Sequence, residues 1–314
     1  MEKQMVAGLR PNEPVDAIFM VANVQIRTTR AGSTYLNVKL QDRSGQIEGK
    51  LWDASEAFAA TIQGDDFVRV KGRCESYQNQ PQINIKTMTK ADTDGLRLGD
   101  FLPQSQHDPV QMLRELTDIL ATLEDKDYKA LVELFLKDKD FCADFRTAPA
   151  AMANHHSYLG GLLEHTLSMM RVAIKISEHY TDLRRDLLLA GVFLHDIGKV
   201  EELSYRRSFQ YTTPGNLVGH IILGVLMLEE RVKELPDFPQ DKLNMLRHMI
   251  LSHHGQYDFG SPRLPMFAEA MALHYLDNLD AKLKDISDII AEDSGINAEW
   301  TDYSRRLERK LYKG

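Results

Sequence analysis

The sequence predicts a chain of two domains, a small all-β barrel followed by an all-α domain. Three observations carry this. The 314 residues exceed what one small hydrophobic core usually serves. Apolar residues alternate with a period of two through much of residues 17–89. From about residue 108 onward they recur instead at three- and four-residue intervals.

Residues 17–28 are rich in Val, Ile and Phe and read as a first strand, with Arg30-Ala31-Gly32-Ser33 as the turn after it. In residues 34–42, Leu36, Val38 and Leu40 fall on one face and Tyr35, Asn37, Lys39 and Gln41 on the other. Asp42-Arg43-Ser44-Gly45 turns the chain into a third strand, 46–52, with Ile47 and Leu51 inward. A short helical stretch at 54–62 precedes strands at 67–75 and 82–89, joined through Tyr77-Gln78-Asn79-Gln80-Pro81. Five strands with a helix between the third and fourth suit an OB-fold over residues 14–91, other small barrels being the alternative. Residues 92–109, with Gly95, Gly99, Pro103 and Pro109, read as a linker. Within 110–314, helices are expected over 110–137, 158–180, 183–195, 217–234, 242–252 and 266–292, with a small hairpin in the polar stretch 205–216.

Composition narrows the class. Hydrophobic residues make up 43% and charged residues 27%, as in ordinary soluble globular proteins. The polar opening is neither a secretory signal nor a membrane span. Two distant cysteines, Cys74 and Cys142, exclude a disulfide framework and fit a reducing cytoplasm. Without a Gly-rich phosphate loop, an ATP-driven machine is disfavoured. Net charge is −8 but uneven: residues 1–97 carry 13 Lys+Arg against 12 Asp+Glu, and residues 98–314 carry 25 against 34. Charge therefore leaves nucleic acid open as a partner.

Seven ligand-type residues are expected near helix ends: His165, His195-Asp196, His220, His253-His254 and Asp277. A mixed imidazole and carboxylate set suits a divalent ion such as Mn, Fe, Zn, Co or Ni. His195-Asp196 closes the apolar run Leu187–Leu194, with Gly198 as a helix stop. Neighbouring side chains on a helix point about 100° apart and can straddle an ion. A buried Asp after such a run needs a cation.

The order His165, then His195-Asp196, then Asp277 resembles the HD superfamily of metal-dependent phosphohydrolases. Gly219-His220 and His253-His254-Gly255 match its extended, two-metal version. The chain resembles the YhaM-like 3′→5′ exoribonucleases more closely, through His155-His156-Ser157-Tyr158-Leu159-Gly160-Gly161-Leu162-Leu163-Glu164-His165-Thr166, through Leu251-Ser252-His253-His254-Gly255 with Phe259-Gly260-Ser261-Pro262, and through His274-Tyr275-Leu276-Asp277-Asn278-Leu279-Asp280-Ala281-Lys282. That resemblance implies His165, His195, Asp196 and Asp277 as core metal ligands, with His220, His253 and His254 completing a second site. It implies two divalent ions, Mn2+ foremost, with Co2+, Fe2+, Ni2+, Mg2+ or Zn2+ as alternatives, and Asp196 bridging them. It also makes a homo-oligomer plausible.

Around this set, Lys199 stabilises a charged transition state or is a plain helix-end lysine. Asp280 orients a histidine or pairs with Lys284. His155 and His156 contact phosphate or serve the helix start; Arg263 grips phosphate or is a surface arginine; His274 supports a ligand. On the barrel, Tyr35, Asn37, Lys39, Lys50 and Trp52 share an outward face, where aromatics among lysines suit base stacking beside phosphate contact; Arg69, Lys71 and Arg73 extend it, or the face is merely solvated. The leading expectation is a metal-dependent 3′→5′ exonuclease on single-stranded RNA, with DNA as a further substrate. The rivals are a phosphohydrolase of nucleotides or cyclic dinucleotides, and a non-catalytic nucleic-acid-binding adaptor.

Overall fold

The computed structural model describes residues 4–28, 32–52, 54, 56–78, 80–152, 156–205, 209–293 and 298–314. The chain divides into two compact units, one within Met1–Gln104, the other formed by Ser105–Tyr205 with Phe209–Gly314.

The first unit is a closed barrel of β1 (Pro14–Thr28), β2 (Thr34–Asp42), β3 (Gly45–Trp52), β4 (Phe67–Tyr77) and β5 (Gln80–Lys90), in the ring order β1-β2-β3-β5-β4. The short helix α1 (Glu56–Ala59) lies between β3 and β4, as an OB-fold requires. β1 serves two neighbours: its first half pairs with β4 and its second with β2, with a register shift between Val21 and Asn23. Leu36, Val38 and Leu40 are fully buried, as their alternation predicts, and Phe19, Val68, Val70 and Ile83 meet them inside. Gly49 sits opposite them because a Cβ there would come within 2.8 Å of Ile85 Cδ1.

Part of the stretch expected as a linker folds back onto the barrel. Phe101 and Leu102 are buried, and the Phe101 ring meets Phe67 edge-on at 4.8 Å. Gln41 Nε2 donates to the Phe101 carbonyl and Arg43 N to that of Asp100. Its glycines and prolines suit a linker, but two large apolar side chains, Phe101 and Leu102, hold this part down.

The second unit is helical: α2 (Pro109–Ala121), α3 (Lys126–Lys137), α4 (Lys139–Thr147), α5 (Gly161–His179), α6 (Arg185–Leu194), α7 (Lys199–Glu202), α8 (Thr213–Leu217), α9 (His220–Val232), α10 (Gln240–Ser252) and α11 (Ala268–Glu292). The expected single helix over 110–137 is two. The first ends at Ala121 with Thr122 as its cap, and Asp125 caps the second, accepting from the backbone N–H of Asp127 and Tyr128. A two-residue ladder, β6 (Leu203–Ser204) with β7 (Gln210–Tyr211), forms in the polar stretch 205–216 and just before it. All residues from Leu187 to Leu194 of α6 are buried; a helix apolar on every side belongs at the centre of a bundle. No helix among the described residues is long and apolar enough to cross a membrane.

Candidate metal centre

Five elements deliver the candidate ligands. His165 lies one turn into α5 and Asp277 in the body of α11, whereas His195 and Asp196 follow α6, His220 opens α9, and His253 and His254 follow α10. The expectation that all seven sit at helix ends therefore holds for five. Glycines bring these ends together. A Cβ on Gly198 would lie 2.0 Å from the His220 carbonyl oxygen and 2.5 Å from Gly224 N, so only glycine lets the chain after Asp196 touch the start of α9. Gly255 adopts φ 76°, and a Cβ there would strike the His274 ring at 2.2 Å.

Each imidazole is held from behind at Nδ1. His195 Nδ1 lies 2.8 Å from the Val192 carbonyl, His253 Nδ1 2.7 Å from that of Ile250, and His254 Nδ1 2.8 Å from that of Phe259. A carbonyl only accepts, so in these three rings Nδ1 carries the hydrogen and Nε2 keeps its lone pair. His220 Nδ1 meets Glu202 Oε1 at 3.0 Å, and His165 Nδ1 meets Asp280 Oδ2 at 2.7 Å. Inside the ring of histidines, His220 Nε2 and His253 Nε2 each stand 3.6 Å from Asp196 Oδ1, and His165 Nε2 is 3.3 Å from Asp277 Oδ1. His195 Nε2, Asp196 Oδ1, His220 Nε2 and His253 Nε2 are buried and make no hydrogen bond. Lone pairs facing lone pairs in a buried site repel unless a cation sits among them, so these residues fit a metal. Two ligand-type triads on this side, His165 with His195 and Asp277, and His220 with His253 and His254, have donor atoms within 4.8 Å of one another.

Burial penalises the Asp196 carboxylate, yet Lys199 and the surrounding imidazoles hold it well below the usual carboxylate range. Asp277 is likewise held down by His165 against burial. Burial would lower His165, but hydrogen bonds to Asp277 and Asp280 push it up to about 9. Burial, with His254 beside it, drives His253 well below the ordinary imidazole range, keeping it neutral.

Lys199 Nζ lies 2.6 Å from Asp196 Oδ2, so the lysine is committed to the cluster rather than to solvent. Asp280 takes the orienting alternative: it accepts from His165 and from Ser168 Oγ at 2.5 Å, and lies 3.0 Å from His156 Nε2, while Lys284 pairs with Asp288. His156 is buried and faces Asp280. His274 Nδ1 donates to the His253 carbonyl and so supports that ligand's backbone. Arg263 is exposed. His155 lies outside the described residues. Sequence reasoning missed Glu202, which reads there as one of two surface acids in Lys199-Val200-Glu201-Glu202. It also missed Asn278 and Lys282, which line a cleft of about 270 Å³ with Lys199, His254, Phe259 and Asp277.

On the barrel, Tyr35 pairs across the ladder with Trp52, Asn37 with Lys50 and Lys39 with Glu48. The Tyr35 and Trp52 rings are 4.9 Å apart. Lys50 Nζ stands 4.7 Å from the Tyr77 ring centroid and 6.0 Å from that of Trp52. Arg69 and Lys71 are elsewhere: both face Asp16 of β1, at 2.8 and 3.6 Å. Arg73 lies in one row with Lys50 and Asn37, because Asn84 of β5 pairs with both Lys50 and Arg73.

A helical bundle centred on this His/Asp cluster defines an HD-domain protein, and the family model described as HD domain matches residues 162–282. Such domains are metal-dependent phosphohydrolases. The chain is 37% identical over 272 residues to the 3′-5′ exoribonuclease YhaM of Bacillus velezensis, covering 86% of each chain. It is 36% identical to that of Bacillus subtilis over the same shares, and 35% identical to that of a Geobacillus species over 96% of this chain and 92% of the relative. The chain belongs to the YhaM 3′-5′ exoribonuclease family. A model described as OB-fold nucleic acid binding domain matches residues 20–91, and a helicase model matches 102–182. Among solved structures, a domain of replication protein A from Methanococcus maripaludis is 18% identical with a TM-score of 0.25, covering 29% of this chain and 96% of that one.

Proposed function

We propose that this chain is a metal-dependent 3′→5′ exoribonuclease that removes mononucleotides from single-stranded RNA, and that accepts single-stranded DNA as a further substrate. The observation that carries this is the convergence of imidazole Nε2 atoms and the two carboxylates Asp196 and Asp277 on one buried place, four of those atoms having no other partner. Membership of the exoribonuclease family supports the choice of substrate and direction.

In this reading His165, His195, Asp196 and Asp277 would hold one divalent ion, and His220, His253 and His254, beside Asp196, would hold a second. Manganese is the leading choice for a mixed imidazole and carboxylate set. Bound divalent ions supply Lewis acidity toward a phosphodiester oxygen and lower the pKa of water toward neutrality. Lys199, already beside Asp196, offers positive charge to the phosphate as it gains negative charge. Asn278 and Lys282 border the cleft through which the strand end enters. On the barrel, Tyr35, Trp52 and Tyr77 offer stacking surfaces, with Lys39 and Lys50 beside them for the backbone. Free cysteines agree with a cytoplasmic enzyme.

The test is a 5′-labelled single-stranded RNA incubated with the purified chain, with Mn2+ or with chelator, beside Asp196→Ala. A ladder that shortens from the 3′ end, needs metal and disappears in the variant is expected. RNA left intact with manganese, cobalt, magnesium and zinc in turn would overturn the reading.

A further inference from the structure

The last described segment, residues 298–314, forms a small folded hairpin in which Thr301 N donates to the Leu311 carbonyl and Trp300 and Ser304 bridge to Tyr312 and Arg309. It carries five basic residues against three acidic ones, within a half of the chain that is otherwise strongly acidic. Its aromatics are turned outward: Trp300 is 53% and Tyr312 58% exposed, their rings 5.2 Å apart, and Tyr303 is 59% exposed. Large rings left in water beside cations are the surface that single strands use.

A second groove, about 410 Å³, is lined by Lys282 and Ile286 of α11 and by Arg306, Leu307, Glu308 and Arg309 of the hairpin. Lys282 lines both this groove and the metal cleft. Asp285, on the wall of the cleft, holds Arg306, on the wall of the groove, at 2.5 Å. The groove and the cleft therefore adjoin at Lys282 and at the Asp285–Arg306 pair. Lys282 is exposed and makes no ion pair among the described residues.

We infer that Lys282 and the C-terminal hairpin, with Arg309 and the Trp300–Tyr312 pair, form a second binding track for the phosphate backbone of a single RNA strand, leading to the metal cleft. This rests on the exoribonuclease reading. The track would hold the last nucleotides within the helical unit itself, next to the cluster. A strand threaded there meets a cation and an apolar side chain on each wall, Lys282 and Ile286 on α11 and Arg309 and Leu307 on the hairpin, an arrangement that suits backbone contact more than base reading.

The experiment measures binding of a fluorescein-labelled single-stranded RNA of about 20 nucleotides, in chelator to prevent cleavage, across a salt series, for the intact chain, Lys282→Ala/Arg309→Ala and Arg309→Lys. Each lost single-strand phosphate contact lowers the log–log salt slope by about 0.7, so the double variant should lose about 1.4 and bind roughly tenfold more weakly. Arg309→Lys, which keeps the charge but not the Arg309 Nε donation to the Leu307 carbonyl, should bind like the parent. An unchanged slope and affinity in the double variant, with the parent still degrading RNA, would overturn the track and leave the exonuclease standing. Equal binding of a polyglutamate peptide by the parent would also overturn it, since the surface would then select charge alone. A parent that neither binds nor degrades RNA would remove both.

Discussion

Two of the candidate ligands, His195 and His253, stand just past a helix end and donate Nδ1 to a carbonyl three residues back, Val192 and Ile250. The last carbonyls of a helix have no intrahelical partner. A histidine placed there takes one of them, and that bond fixes which nitrogen faces the metal. His165 and His220 cannot use this device, because one lies in the body of α5 and the other opens α9; carboxylates serve them instead, Asp280 and Glu202. Removing that support should weaken metal binding about 10–100-fold. Glu202→Ala is thus expected to shift the midpoint of a manganese titration by that factor, read by electron paramagnetic resonance of free Mn2+. An unshifted midpoint would show that Glu202 does not orient His220. The candidate ligands were legible in the sequence through their joint order, His165, His195-Asp196 and Asp277, which resembles the HD pattern, since a lone His or Asp carries little. Glu202 was not, since an acid in a charged tetrapeptide is the commonest surface feature. Its role depends on which ring the fold brings to it.

At the scale of elements, the helices announced themselves through apolar spacing, but their breaks did not. Leu116, Leu120, Leu123 and Leu131 keep a helical rhythm straight through the turn at Asp125. Asp138 ends α3 and caps α4, accepting from Asp140 N and Phe141 N, so no polar stretch separates the two helices. What holds the elements in register is a small set of polar clamps. Glu269, 2% exposed at the start of α11, accepts from the backbone N–H and guanidinium of Arg184 at the start of α6. Burial opposes its charge, but Arg184 keeps its pKa below the ordinary glutamate value. A carboxyl whose folded pKa is depressed contributes stability above the unfolded value of about 4.3, and loses it as pH falls through the lower folded value. Glu269→Ala should therefore cost about 1–3 kcal/mol at pH 7. The gap should narrow in urea melts taken below about pH 4.3; a constant gap at all pH values would assign the cost to packing alone. Gly198→Ala is the steric counterpart. With 2.0 Å available to the His220 carbonyl, the added methyl must part α7 from α9 at a cost of about 1–3 kcal/mol. Exonuclease activity should fall with it, because Asp196 and His220 move apart; a thermal melt and an RNA assay on one preparation would read both.

For the molecule as a whole, a buried cluster with four unpartnered polar atoms makes the metal part of the fold's stability. A ligand bound only by the native state at a hundred times its Kd adds about 2.7 kcal/mol. Adding manganese to chelator-treated chain should raise Tm, and Asp196→Ala should abolish that rise. A rise that survives Asp196→Ala would put the stabilising ion elsewhere. The barrel carries a consequence of another kind, for the chain during its synthesis. β5 closes the ring by pairing parallel with β3 and antiparallel with β4. Until residue 90 has been made, β3 and β4 both present unpaired backbone to any neighbouring chain. The barrel is thus a polymerisation hazard for as long as it lacks its last strand. A chain cut short just before Gln80 and released is at greater risk of joining another chain, edge to edge, than one cut short within the helical unit.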